Sequence, residues 1–156
     1  MGIALEKITW GSWHPHKVKL AVSGCPRNCA EATIKDFGVV ATEAGWDLHV
    51  GGNGGIKVRA TDLLCKVATD EEVIEYCCAF LQLYREEARY LERTAPWIER
   101  VGIDYVKQRV VEDVDNRRTL HQRFIHAQSF AQNDPWAEEA ASGVGTVQYA
   151  PMVELV

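Results

Sequence analysis

The sequence predicts an α/β (α+β) domain, in which a small mixed or antiparallel sheet with flanking helices is followed by a helical carboxy-terminal half. Three observations carry that expectation. Lys17-Val18-Lys19-Leu20-Ala21-Val22 alternates with period two, as a half-buried strand does. Gly38 to Thr42 and Trp46 to Val50 are two β-rich runs joined at Ala44-Gly45, which suggests a hairpin. Thr69-Asp70-Glu71-Glu72 fits a capping box, and Val73, Cys77, Leu81, Tyr84, Ala88 and Leu91 then recur at helical spacing.

Taken in order, Ile3, Ala4, Ile8 and Trp13 line one face of an amino-terminal helix, and the strand at 17–22 follows. Ala30 to Asp36 is helix-compatible, which sets a helix just behind the strand and the intervening CPRNC. Gly51 to Gly55 reads GGNGG, a loop in which backbone can turn freely and approach another group closely. The capped helix is expected to run to about Arg93, Pro96 to sit in the first turn of the next helix, and Gly102 to break it. Ile103 to Val111 and Thr119 to Gln132 keep helical character until Asp134-Pro135. Residues 1–140 therefore read as one structural portion, and 141–156 as a tail that orders against a partner or on another chain's edge.

Composition narrows the function classes. The 156 residues suffice to bury roughly two thirds of the unfolded surface. No apolar run approaches the roughly 20 residues of a membrane span, and the first residues lack a secretory pattern, so a cytoplasmic location is expected. A net charge of -5 without a Lys/Arg cluster gives no footprint for nucleic acid. Five cysteines, an odd number, in a reducing compartment read as thiols or metal ligands rather than a disulfide framework.

The chemistry is expected from Cys25-Pro26-Arg27-Asn28-Cys29. Thiolates are soft ligands for zinc and iron-sulfur clusters, and a helix start just behind them would favour the charged form. Two idle cysteines are the competing reading of that spacing. Arg27 supplies a cation and Asn28 both a donor and an acceptor, which suits a bound anion. Cys65 and Cys77 read as core thiols, His14 and His16 as a solvated turn, and Trp97 and Trp136 as packing residues. His121 and His126 do not share a helical face.

HKVKLAVSGCPRNCAEATIKDFGVV, GWDLHVGGNGGIKVRATDLLCKV, LYREEARYLERTAPWIERVG and FAQNDPWAE together resemble the siroheme and 4Fe-4S nitrite and sulfite reductase family, from about Gly2 to Glu138. The likeness is to the carboxy-terminal part of the reductase domain in the large subunit of the NAD(P)H-dependent assimilatory kind. It implies a parent enzyme that reduces nitrite to ammonium with electrons from NAD(P)H, on a siroheme fed by a 4Fe-4S cluster. It also implies the rest of a large subunit, and a small subunit, as partners. The family holds its cluster with a CxxxxxC pair and a CxxxC pair, and the second matches Cys25 and Cys29, the latter bridging to the siroheme iron. Arg27, Asn28, Asn53, Gly52 and Gly54 would then lie near siroheme, with Lys57 and Arg59 within reach of its carboxylates. No residue receives a catalytic role.

This sequence has no cysteine among the 24 residues before Cys25, so the first pair is missing and the isolated chain is expected to be inactive, possessing no complete centre. Alternatives stand beside the nitrite reading: sulfite as substrate, a cofactor-free interaction or assembly module, or a zinc site of two cysteines completed in a homodimer.

Overall fold

The computed structural model describes residues 1–131 and 141–142. Helix α1 (Gly2–Thr9) leads into β1 (Leu20–Ser23), a single 3-10 turn (Ala32–Ile34), and then β2 (Phe37–Thr42), β3 (Gly45–Val50) and β4 (Asp62–Val67). The second half is helical: α2 (Asp70–Glu87), α3 (Thr94–Val101), α4 (Ile103–Lys107), a π-turn (Gln108–Glu112) and α5 (Val114–Ala131). The strands lie in the order β1-β2-β3-β4. β1 runs parallel to β2, and the remaining pairs are antiparallel, so the sheet is mixed.

The expected hairpin is β2–β3, with Thr42 opposite Gly45. The capping box is also present: Thr69 Oγ1 accepts the Glu72 N–H at 3.2 Å while the Glu72 carboxylate accepts the Thr69 N–H at 3.0 Å. Phe37, Val39, Leu48 and Val50 of the sheet are fully buried together with Val73, Cys77, Phe80, Leu81 and Tyr84 of α2 and Trp97 of α3. Their rings interlock, with Phe37–Phe80, Phe80–Trp97 and Tyr84–Trp97 centroids 5.9, 5.8 and 5.6 Å apart. α5 closes the core from the far side through Leu120 and Phe124.

Four expectations need correction. The first strand begins at Leu20 rather than Lys17, because the Lys19 N–H is taken by the Asp36 carboxylate at 2.8 Å instead of a ladder partner. No α-helix forms over 30–36; Asn28 and Glu31 both take φ 55°, which breaks helical propagation and leaves one 3-10 turn. α2 stops at Glu87 instead of near Arg93, and the chain reverses through Leu91 at φ 63°. His14 is no solvated turn residue: it stacks on Tyr84 at 6.3 Å and its Nε2 pairs with the Ser12 hydroxyl at 2.8 Å. Two further differences are that β4 forms where no strand was expected and that α5 starts earlier than Thr119. Asp134-Pro135, Trp136 and the segment from 143 onward lie outside the described residues.

Candidate cofactor-binding site

Two consecutive turns build the cysteine loop. The Asn28 N–H bonds the Cys25 carbonyl at 3.1 Å, with Pro26 at the second position where its fixed φ suits a turn, and the Glu31 N–H bonds the Asn28 carbonyl at 2.8 Å. Asn28 fastens both turns from inside. Its Oδ1 accepts the Ala32 N–H at 2.7 Å and the Ser23 hydroxyl at 3.1 Å, and its Nδ2 donates to Thr33 Oγ1 at 2.7 Å. Cys25 and Cys29 leave this loop as free, exposed thiols. Arg27 is exposed as well, and makes no ion pair among the described residues. With no helix behind the loop, the helix-terminal field expected at the thiols has no source there.

The other cysteines do not join the pair. Cys77 is fully buried and its thiol is pushed well above the ordinary range by burial. Burial likewise pushes Cys78 and Cys65 up to about 12. A ligating sulfur must be a thiolate, so burial that opposes ionisation opposes ligation too. Among the described residues there is no group of three or more His, Cys, Asp and Glu able to hold a metal.

The glycine loop docks on the stretch that follows the cysteines. The Gly51 N–H bonds the Asp36 carbonyl at 3.0 Å and the Gly52 N–H bonds the Lys35 carbonyl at 2.8 Å. A Cβ on Gly52 would lie 2.5 Å from the Ile34 carbonyl carbon, so glycine there serves this close approach. Gly54 is exposed beyond it. Asn53 staples the loop: its backbone pairs with Arg59, its Nδ2 donates to the Lys57 carbonyl at 2.8 Å, and its Oδ1 accepts the Gly55 N–H at 3.2 Å. Arg59 turns inward to Asp62 at 2.7 Å and Glu99 at 3.4 Å. Lys57, with 84% of its side chain exposed, presents its charge to solvent beside Glu99 at 3.7 Å.

Beneath both loops lies a group that sequence reasoning missed. Asp36 is wholly buried, and its carboxylate accepts from the Lys19 N–H at 2.8 Å, from Arg93 Nη2 at 2.5 Å and from the Thr94 hydroxyl. A lone acidic residue at the mouth of the apolar strand Phe37–Val40 was the available signal, since a buried carboxylate demands a cation. Its partner lies 57 residues away and carries no mark of its own.

The model of the nitrite and sulphite reductase 4Fe-4S domain matches residues 2–118. The chain belongs to this family. It is 56% identical over 138 residues to a nitrite reductase (NAD(P)H) of Bacillus subtilis, covering 88% of this chain and 17% of that protein. Against the nitrite reductase (NADH) large subunit of Escherichia coli it is 47% identical over 115 residues, which is 72% of this chain and 14% of the relative. An assimilatory-type sulfite reductase of Nitratidesulfovibrio vulgaris is 35% identical over 111 residues, 71% of this chain and 51% of that one. The chain thus spans only a small part of the nitrite reductases it matches. The domain match takes in both cysteines, the glycine loop, Asp36 and Arg93, and ends inside α5. Among the described residues, no helix is long and apolar enough to cross a membrane.

Proposed function

We propose that this chain is the portion of a siroheme nitrite reductase that supplies half of the cluster's thiolates, through Cys25 and Cys29, in an enzyme that reduces nitrite to ammonium with NAD(P)H electrons. The observation that carries the reading is the pair of exposed free thiols on one fastened loop, within the stretch matched by the family. The donor set fits half of a four-thiolate cluster, and the other three cysteines are held back by burial. The remaining ligands, the nicotinamide and flavin domains and a small subunit would come from sequence beyond this chain.

When bound, a 4Fe-4S cluster joined to siroheme supplies the electron path and the iron at which nitrite is held. The chain's own residues bind and orient. Cys25 and Cys29 would hold the cluster through Sγ as thiolates. Asn28 acts from inside the loop: its side-chain amide is engaged with Ser23, Ala32 and Thr33, so it fixes the spacing of the thiols. Arg27 offers an unpaired cation to a siroheme carboxylate. In the glycine loop, Gly54 would let backbone come close to the macrocycle, while Gly52 and Asn53 hold the loop's shape.

The test is a chimera in which residues 2–118 replace the matching segment of the Escherichia coli large subunit. The expected result is siroheme absorption, bound iron and NADH-dependent ammonium formation, all lost in Cys25→Ser and Cys29→Ser. Retention of cluster and siroheme in both serine variants would overturn the proposal. Sulfite turnover exceeding nitrite turnover would move the substrate to the sulfite side. Zinc without iron would favour the two-cysteine zinc site, and a metal-free, colourless chimera the cofactor-free module.

A further inference from the structure

We infer that Arg93 is a positioning residue, a single guanidinium that ties the glycine loop at Asn53 to Asp36, the buried anchor behind the cysteine loop. The relevance to a cofactor rests on the reading that Cys25 and Cys29 are ligands. The geometry stands apart from it.

Arg93 touches the glycine loop directly, and reaches the base of the cysteine loop through Asp36, just past the 3-10 turn. Nη2 reaches Asp36 Oδ2 at 2.5 Å and Nε reaches Asp36 Oδ1 at 3.4 Å, while Nη1 reaches Asn53 Oδ1 at 3.4 Å, long for a hydrogen bond but charge-assisted. The orientation of the Asn53 amide is fixed by three partners that agree: its nitrogen faces the Lys57 carbonyl, and its oxygen faces the Gly55 N–H and the guanidinium. Asp36 in turn holds the chain from both sides, through its side chain to the Lys19 N–H before β1 and through its carbonyl to the Gly51 N–H. The cysteine loop hangs between these anchors, from Ser23 to the 3-10 turn at Ala32.

A planar fork carries donors on three separate nitrogens, which here reach Asp36 and Asn53 together, whereas the three donors of an ammonium share one nitrogen. The guanidinium is also well shielded, with 17% of its side chain exposed against none for Asp36, so water substitutes poorly for it. This separates a positioning role from charge compensation alone. Lysine at 93 can still neutralise the buried carboxylate, but it cannot hold Asn53 at the same time.

The experiment uses the chain itself, with urea unfolding and amide hydrogen exchange read residue by residue in Arg93→Lys and in the double variant Asp36→Asn/Arg93→Met. Arg93→Lys is expected to unfold close to wild type while the Asn53 and Arg59 amides, which pair across the glycine loop, exchange at least about tenfold faster. The double variant removes both buried charges, and recovery of stability without recovery of loop protection is the expected outcome. Wild-type exchange at Asn53 and Arg59 in a stably folded Arg93→Lys or double variant would overturn the assignment. If Arg93→Lys fails to fold, the double variant decides alone. Failure of the chimera to take up siroheme would instead strike the functional reading, and leave the exchange result standing.

Discussion

Replacing Asn28 with alanine tests how the cysteine loop is built. The change removes three hydrogen bonds, from the Ala32 N–H, the Ser23 hydroxyl and to Thr33 Oγ1. At about 0.5 to 1.5 kcal/mol each they sum to roughly 1.5 to 4.5 kcal/mol. Residue 28 also sits at φ 55°, where alanine costs about 1 kcal/mol more than asparagine or glycine. Asn28→Ala should therefore destabilise the chain by roughly 2.5 to 5.5 kcal/mol and Asn28→Gly by about 1 kcal/mol less, since glycine loses the bonds but relaxes the backbone. Urea titrations followed by tryptophan fluorescence, to which the buried Trp97 contributes, give both numbers at constant slope. A loss below about 0.5 kcal/mol in both variants would refute the view that this side chain fastens the loop. Equal losses would refute the backbone contribution.

Other expectations follow from the same geometry. Burial, with Arg85 nearby, lowers the His14 pKa to about 4, against some opposition from Asp36. The unfolded chain then takes up the proton first, so this contribution is full above about 6.5 and is lost as pH falls from there toward 4. His14→Phe should flatten that limb of a stability-against-pH curve, and an unchanged limb would count against it. Glu92 is held down to about 2, chiefly by its hydrogen bond from Arg100, so Glu92→Gln should remove an acid-side loss of stability below the ordinary carboxylate range. Iodoacetamide should label Cys25 and Cys29 in the native chain and reach Cys77 only on unfolding, as peptide mass spectrometry would record. Native labelling of Cys77 at the rate of Cys29 would contradict its burial. In Gly38→Ala the new Cβ would meet the Ala32 carbonyl oxygen, 2.0 Å away, so β2 must shift from the 3-10 turn at a cost of about 1 to 3 kcal/mol in a urea midpoint assay.

The sequence made the β2–β3 hairpin and the start of α2 legible because local chemistry decides them: two β-rich runs about a two-residue turn, and a Thr69/Glu72 box that closes on itself. β4 escaped because its buried positions, Leu64 and Val67, are three apart, and a register shift at Leu48/His49 disturbs the pairing that alternation would reveal. The end of α2 escaped because Ala88 and Leu91 continue the apolar spacing. The reversal there is held by tertiary bonds, from Tyr84 Oη to the Glu92 carbonyl at 2.5 Å and from Arg100 to the Glu92 carboxylate at 2.7 Å. For the candidate site, Cys25 and Cys29 stood out through their spacing together with the family resemblance, and the fold leaves both thiols exposed. What Asn28 and Asn53 touch was not legible, because the Asn28 amide turns into its own loop and the Asn53 amide is shared between its loop and the distant Arg93. Asp36 and Arg93 were invisible as a pair, since 57 residues of chain separate them and only the folded sheet brings them together.

That separation gives the chain a timetable. A ribosome releases the residues around Cys25 and Cys29 long before it releases Arg93 and Thr94, and the intervening stretch includes the whole of β2, β3, β4 and α2. Until α3 emerges, the Asp36 carboxylate lacks the cation that makes its burial tolerable. A nascent chain halted before Arg93 would expose the two thiols on a loop with an unfinished floor. Closure of the frame beneath them therefore waits for Arg93, and it follows the appearance of the cysteines by the whole of β2, β3, β4 and α2.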